Sequence, residues 1–143
     1  MEPPEDLKSL LRDPLRRLQA HVHERLTGAG YTDLRPAHAN VLQFLRTDHG
    51  VRVQDLAIRA QMTWQSMAEL VGQLERGGYV TREADPADRR ARLVKLTASG
   101  AELTPIAIAA MSEVEAAWAR QIGTDELERL RSILQQIWQP PGT

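Results

Sequence analysis

Residues 74–100 read LERGGYVTREADPADRRARLVKLTASG. Within this stretch YVTREA and RLVKLT alternate in the manner of two strands, and Gly77-Gly78 closes the helix that precedes them. The seven residues between the strands, DPADRRA, exceed the roughly two to five of an ordinary hairpin loop. Four basic residues, Arg89, Arg90, Arg92 and Lys95, fall within seven positions that hold no acidic one. A turn opening on Asp85-Pro86 thus carries a compact positive finger, on a chain whose formal net charge is only −1.

Upstream, Gln54 to Ala60 fits two turns of helix, and Val51-Arg52-Val53 has the composition of a very short strand. Thr63 then makes a good N-cap, with Met62 and Met67 spaced as a hydrophobic staple across it. Met67, Leu70, Val71 and Leu74 share the buried face of the helix from Trp64 to Arg76, which turns Gln65, Ala68, Glu69, Gly72 and Arg76 outward. Two short helices joined this tightly are a helix-turn-helix candidate. A further helix opens at Pro36 and buries Ala37, Val41, Leu42 and Leu45.

The two ends of the chain are helical. Leu7, Leu11, Leu15, Leu18, Val22 and Leu26 form one apolar stripe, with a break or restart expected at Asp13-Pro14 and an end at Gly28-Ala29-Gly30. After Gly100, Leu103, Ile106, Ala107, Ala110, Met111, Val114 and Trp118 keep helical spacing, with Pro105 near the start as a candidate bend. A last helix, expected to be capped by Thr124, carries Leu127, Leu130, Ile133, Leu134, Ile137 and Trp138 on one side. Prolines near both ends (Pro3, Pro4, Pro140, Pro141) suggest frayed termini. The fold expected is mainly α with a small β-hairpin wing: a winged helix-turn-helix reading domain over residues 34–97. A helical dimerisation stem would come from residues 1–33 and 98–143.

Composition narrows the function. A length of 143 residues suits one domain that buries roughly 70% of its unfolded surface. The absence of cysteine removes disulfides, thiol switches and thiolate zinc sites. No apolar run approaches the roughly 20 residues that span a bilayer. The start MEPPED is unlike a signal peptide, so a cytoplasmic protein with no membrane partner is expected. Of the 18 lysines and arginines only Lys8 and Lys95 are lysine, which suits forked recognition of phosphates and bases.

The helix-turn-helix followed by D-P-x-D-R-R-x-x-L-V-x-L-T resembles the MarR family of bacterial winged-helix transcriptional regulators, most strongly over residues 34–100. The resemblance implies a cytoplasmic homodimer that binds an inverted repeat in double-stranded DNA. One recognition helix per subunit would lie in a major groove, with the wing along the backbone or in the minor groove. It further implies release by a small, often aromatic or anionic, effector entering a cleft between stem and reading domain.

On the recognition helix, Thr63 caps, and Gln65 can read adenine through its two-ended amide. Ser66 and the first-turn amides can hold a phosphate. Trp64 can pack on a thymine methyl, on a sugar or on the domain's own surface. Glu69 can accept from cytosine or pair with Arg76 or another neighbour. On the wing, Arg89 and Arg90 suit a minor groove or phosphates, Arg92 the backbone, and Asp88 an ion pair that orients Arg90. Gln61 stands at a turn position where the family often has glycine, and Trp64 where it often has a basic residue. Sequence preference is therefore expected to be unusual, with affinity leaning on the wing.

His21 or His38 is a candidate for lining the effector cleft. His21-x-His23 places its rings about 200° apart on a helix, so no metal site is expected, and no cofactor either. No phosphate loop, nucleophile elbow or paired carboxylates suggest an enzyme. The alternatives to a specific regulator are a winged-helix dimer that binds a protein partner and a nonspecific architectural DNA binder.

Overall fold

Asp6 starts the first helix. In the computed structural model, which describes residues 1–140, its Oδ1 accepts the Ser9 backbone N–H at 2.9 Å, and α1 runs unbroken from Leu7 to Gly28. The break expected at Asp13-Pro14 does not occur. Pro14 lacks the N–H that would bond the Leu10 carbonyl, but this part of α1 is exposed and water can serve that carbonyl. Asp13 pairs with Arg12 at 2.9 Å instead of capping.

Helix α2 (Pro36–Leu42) follows, then strand β1 (Val51–Arg52) and helix α3 (Val53–Ala60). Val53, expected in the strand, opens α3. Helix α4 spans Trp64–Arg76, with Thr63 Oγ1 accepting the Ser66 N–H at 3.1 Å. The turn between α3 and α4 depends on Gln61, which sits at φ 55°, ψ 46° and is the sole non-glycine with positive φ among the described residues. This left-handed residue lets the Met62 N–H return to the Ala57 carbonyl at 2.9 Å and close the end of α3.

Strands β2 (Val80–Asp85) and β3 (Asp88–Leu96) form the hairpin, and the sheet order is β1-β3-β2, all antiparallel. The long loop expected between them is absent, because the chain reverses over Pro86 and Ala87 alone. The extra length is taken up within β3. Ala84 pairs with Arg92 and Asp85 with Asp88, so Arg89, Arg90 and Ala91 have no residues opposite them and bulge from the ladder.

Helices α5 (Ala98–Ala101), α6 (Leu103–Ile122) and α7 (Thr124–Ile137) complete the chain. Pro105 lies in the first turn of α6, where its missing N–H has no intrahelical partner to lose. Gly123, at φ 92°, links α6 to α7 and takes the cap position expected for Thr124. Residues 141–143 of the segment 98–143, Pro141 among them, lie outside the described residues.

One core joins the reader to α1 and α6. Leu56, Met67, Leu74, Val41, Val71, Val80 and Val94 are fully buried, and Val22 and Leu26 of α1 with Leu103 and Ala110 of α6 belong to the same cluster. The winged helix-turn-helix therefore rests directly on the stem helices. The sequence boundary at 33/34 falls in the loop between α1 and α2, and that at 97/98 falls at Thr97, the N-cap of α5.

A left-handed backbone costs glutamine more than glycine. Gln61→Gly is expected to raise the unfolding free energy by about 0.5–1 kcal/mol, measured as a higher urea midpoint with unchanged slope. A lower midpoint would show that the Gln61 side chain contributes more than its backbone costs.

Candidate nucleic-acid interface

Burial of Met67, Leu70, Val71 and Leu74 fixes the rotation of α4, and Trp64, Gln65, Ser66 and Glu69 are exposed on it. Trp64 leaves 60% of its surface to solvent, so its ring does not pack down on the domain. Ser66 is less free than the sequence suggests: its N–H is held by Thr63 Oγ1, whose hydroxyl donates to Ser66 Oγ at 2.9 Å. The first-turn amides left for a phosphate are those of Trp64 and Gln65. Glu69 accepts from Gln73 Nε2 at 3.5 Å, so its neighbour is Gln73 and not Arg76.

At the wing, Arg89, Arg90 and Arg92 are exposed, and none has a carboxylate partner among the described residues. Lys95 does: its Nζ stands 2.9 Å from Glu83 across the hairpin. The free charge of the finger is therefore three arginines. Asp88 shapes the tip through the backbone, its Oδ1 accepting the Arg90 N–H at 3.0 Å, in place of the side-chain ion pair expected with Arg90.

The base of the wing is held by Asp85, only 8% exposed. Its Oδ1 accepts the Ala87 N–H at 2.9 Å, which tightens the turn, and its Oδ2 accepts Arg52 Nε and Nη2 at 2.9 and 2.7 Å. The carboxyl is held below the usual carboxylate range, first by the Ala87 N–H and next by the Arg52 guanidinium, with burial opposing both. Arg52 and Asp85 were missed as a pair because they stand far apart in sequence. The Asp-Pro turn opening was the available signal.

An exposed, capped helix beside a hairpin with three unpaired arginines is the outline of a winged-helix DNA reader. Residues 32–91 match the MarR family model. The chain is similar to the MarR family over that stretch. It is 29% identical over 105 residues to transcriptional regulator HosA of Escherichia coli O111:H-, an alignment covering 73% of this chain and 78% of HosA. A crystal structure of MarR superposes with a TM-score of 0.78 at 25% identity, covering 92% of this chain and 93% of that one. CouR from Rhodococcus jostii RHA1, crystallised with p-coumaroyl-CoA, gives a TM-score of 0.71 at 24% identity, covering 93% and 91%. No helix among the described residues is long and apolar enough to cross a membrane.

The two candidate cleft histidines are not brought together. His38 is buried beneath α4: its Nδ1 accepts the Arg35 N–H at 2.9 Å, so Nε2 carries the proton and donates to Gln73 Oε1 at 2.8 Å. Arg35 donates to the same oxygen, tying the start of α2 to α4. His21 lines a polar groove of about 650 Å³ between α1 and α6. There its Nε2 and the Arg25 guanidinium both meet Glu113 at 2.7 Å, and the two together hold the Glu113 carboxyl below the usual range, His21 most.

A separate apolar cleft of about 500 Å³ opens between stem and reader. Leu18, Val22, Leu45, Leu103, Ala107 and Met111 line it, with Asn40, Gln43, Arg59 and Gln61 adding polar groups. Neither histidine reaches it.

A carboxyl whose folded value is depressed stabilises the fold above its unfolded value and loses that contribution as pH falls through the folded one. Asp85→Asn is therefore expected to lower the urea midpoint at pH 7, with the gap to the parent narrowing below about pH 4. A gap that stays constant into acid would assign the loss to packing and not to charge.

Proposed function

We propose that this protein is a MarR-family regulator that works in the cytoplasm as a homodimer on double-stranded DNA, each subunit reading one half of an inverted repeat. In this reading it is a repressor released by a small effector. The observation that carries the reading is the pairing of two exposed elements on one rigid reader. One is the N-terminal face of α4, with Gln65 and Ser66. The other is the bulged wing tip, whose Arg89 and Arg90 have no internal carboxylate to neutralise them. Gln65 reads a base edge, with Trp64 and Glu69 bordering it and Thr63 holding the helix start. Arg89 and Arg90 enter the minor groove or clasp phosphates, Arg92 lies along the backbone, and Asp88 shapes the tip.

The dimer is supported by apolar surface left open on the stem. Leu7, Leu11 and Leu15 of α1 are 75%, 51% and 54% exposed, and Ile133, Ile137 and Trp138 at the far end are 45%, 65% and 66% exposed. A two-fold axis through such a stem presents two recognition helices with opposite polarity, which is what an inverted repeat requires. Effector release is supported by the apolar cleft, whose walls come from α1 and α6 on one side and from α2 and the α3–α4 turn on the other. CouR, of the same fold, takes a thioester of an aromatic acid. The small aromatic or anionic effector proposed here would meet the apolar walls with its ring and Arg59 with its charge. By selecting one spacing of stem and reader it shifts the population between DNA-binding and released forms.

A second reading, a dimer that binds a protein partner, is favoured by one observation, the 60% exposure of Trp64 on the reading helix. Selection of duplexes from a random library at near-physiological salt separates the two. The regulator enriches an inverted repeat, and an Arg89→Ala/Arg90→Ala variant loses it. On the enriched duplex, Gln65→Ala is expected to erase about 1–3 kcal/mol of discrimination at one base pair. Arg90→Ala weakens all duplexes alike and lowers the salt slope by about 0.9. A salt-dependent binder with no preference would be architectural. A folded dimer that enriches nothing and responds to no salt would be the protein-binding module.

A further inference from the structure

Glycine destabilises a helix interior relative to alanine, so a glycine in mid-helix needs a reason. At two other glycines the reason is internal. A β-carbon at Gly100 would collide with the Tyr79 carbonyl oxygen, and one at Gly50 with Leu93 Cβ. Gly72, in the middle of α4, meets no such obstacle. A β-carbon there would touch only Arg76 Nη1 and Arg82 Nη2, each at 3.4 Å, an ordinary contact with the ends of two flexible side chains.

Two guanidiniums thus converge over bare helix backbone, and neither is fully engaged. Arg76 has no carboxylate partner among the described residues. Arg82 reaches the Ala68 carbonyl only at 3.4 Å and stands 3.7 Å from Glu75, and its buried Nε–H has no acceptor. The place also matters. Residues 65, 72 and 76 of α4 point away from the buried face, whereas Arg82 comes from β2, so the pair straddles the junction of recognition helix and wing. A duplex with α4 in its major groove and the wing in the adjacent minor groove must pass one sugar–phosphate strand through that junction, because a strand is what separates the two grooves.

We propose that Gly72, Arg76 and Arg82 form the seat for a phosphodiester of that strand. The two guanidiniums donate to its anionic oxygens, and the missing β-carbon lets it approach the helix backbone. Glu75 faces the Nε edge of Arg82 and offsets part of its charge, so Arg76 supplies most of the net attraction. The seat rests on the DNA-reading function proposed above.

The test compares the parent with Gly72→Ala and Arg76→Gln on two probes, the duplex recovered by selection and a duplex of mixed sequence, across a salt series. Arg76→Gln is expected to weaken both about fivefold at physiological salt and to lower the salt slope by about 0.9. Gly72→Ala is expected to melt at or above the parent temperature, yet to bind both duplexes roughly threefold or more weakly. Parent-like affinity and slope in both variants would overturn the seat and leave the DNA reading intact. An effect confined to the selected duplex would make these residues base readers and overturn it as well. A destabilised Gly72→Ala protein would give the glycine an internal purpose and remove the argument for a seat. A parent that binds neither duplex would remove the DNA reading and the seat together.

Discussion

Four side chains on one side of α4 govern where everything else can point. Met67, Val71 and Leu74 are fully buried, and Leu70 nearly so, which leaves the helix no freedom to rotate about its axis. With that rotation fixed, Gln65, Glu69, Gly72 and Arg76 face solvent, and Gln73 turns back to meet Arg35 and His38. The same burial anchors β2 and β3 through Val80 and Val94, so the wing and the helix are referenced to one core. A reader of two adjacent grooves needs that common reference, because groove spacing in a duplex is set by the nucleic acid and not by the protein.

The wing adds a second constraint, a carboxylate that cannot be left alone. A charge as buried as that of Asp85 must be met by donors. Three N–H groups meet it, one from the turn and two from Arg52 of β1. One residue thereby ties the shortest strand to the tightest turn, and the register change falls at Asp85 itself. The bulge then displays Arg89 and Arg90 beyond the last regular pair. This also resolves the apparent conflict between a net charge of −1 and a nucleic-acid partner. Arg12, Arg25, Arg46, Arg52 and Arg131 each face a carboxylate, whereas the wing-tip arginines face none. Phosphates respond to the local unpaired charge, and the average over the chain says little about it.

What was legible in the sequence was whatever is encoded by local period or by a residue with one backbone habit. The stripe of α4, the Thr63 cap, the glycines after Arg76 and the cost at Gln61 were all of that kind, and the motif from Asp85 to Thr97 carried the family. Contacts between residues distant in the chain were not legible. Asp13-Pro14 looked like a helix start because the cap at Asp6 and the solvent around Leu10 are not visible in a local pattern. The tip of the hairpin looked like a long loop because Asp, Pro and Ala are poor strand formers, and the pairing of Asp85 with Asp88 belongs to the ladder. His38 was plausible as a cleft residue until its two ring nitrogens were found engaged with Arg35 and Gln73. Gly72 was recognised as outward-facing, but one of the two guanidiniums beside it, that of Arg82, comes from another element and could not be inferred.

Gln61 joins the two halves of the molecule. Its left-handed backbone ends α3 and aims α4, and the residue also borders the apolar cleft between reader and stem. A molecule in that cleft would therefore press on the turn that orients the recognition helix, with Arg59 and Ala60 on the same stretch of wall. Contact alone shifts no equilibrium; only a difference in affinity between two arrangements does. The strained turn supplies a physical source for such a difference. A non-glycine left-handed residue stores on the order of 1 kcal/mol, which an altered stem–reader spacing can relieve or increase. The cleft walls on the reader side are short helical pieces, while those on the stem side belong to the long helices α1 and α6. A molecule that alters the stem–reader spacing would thus act on the reader through the turn at Gln61, next to the helix proposed to face the bases.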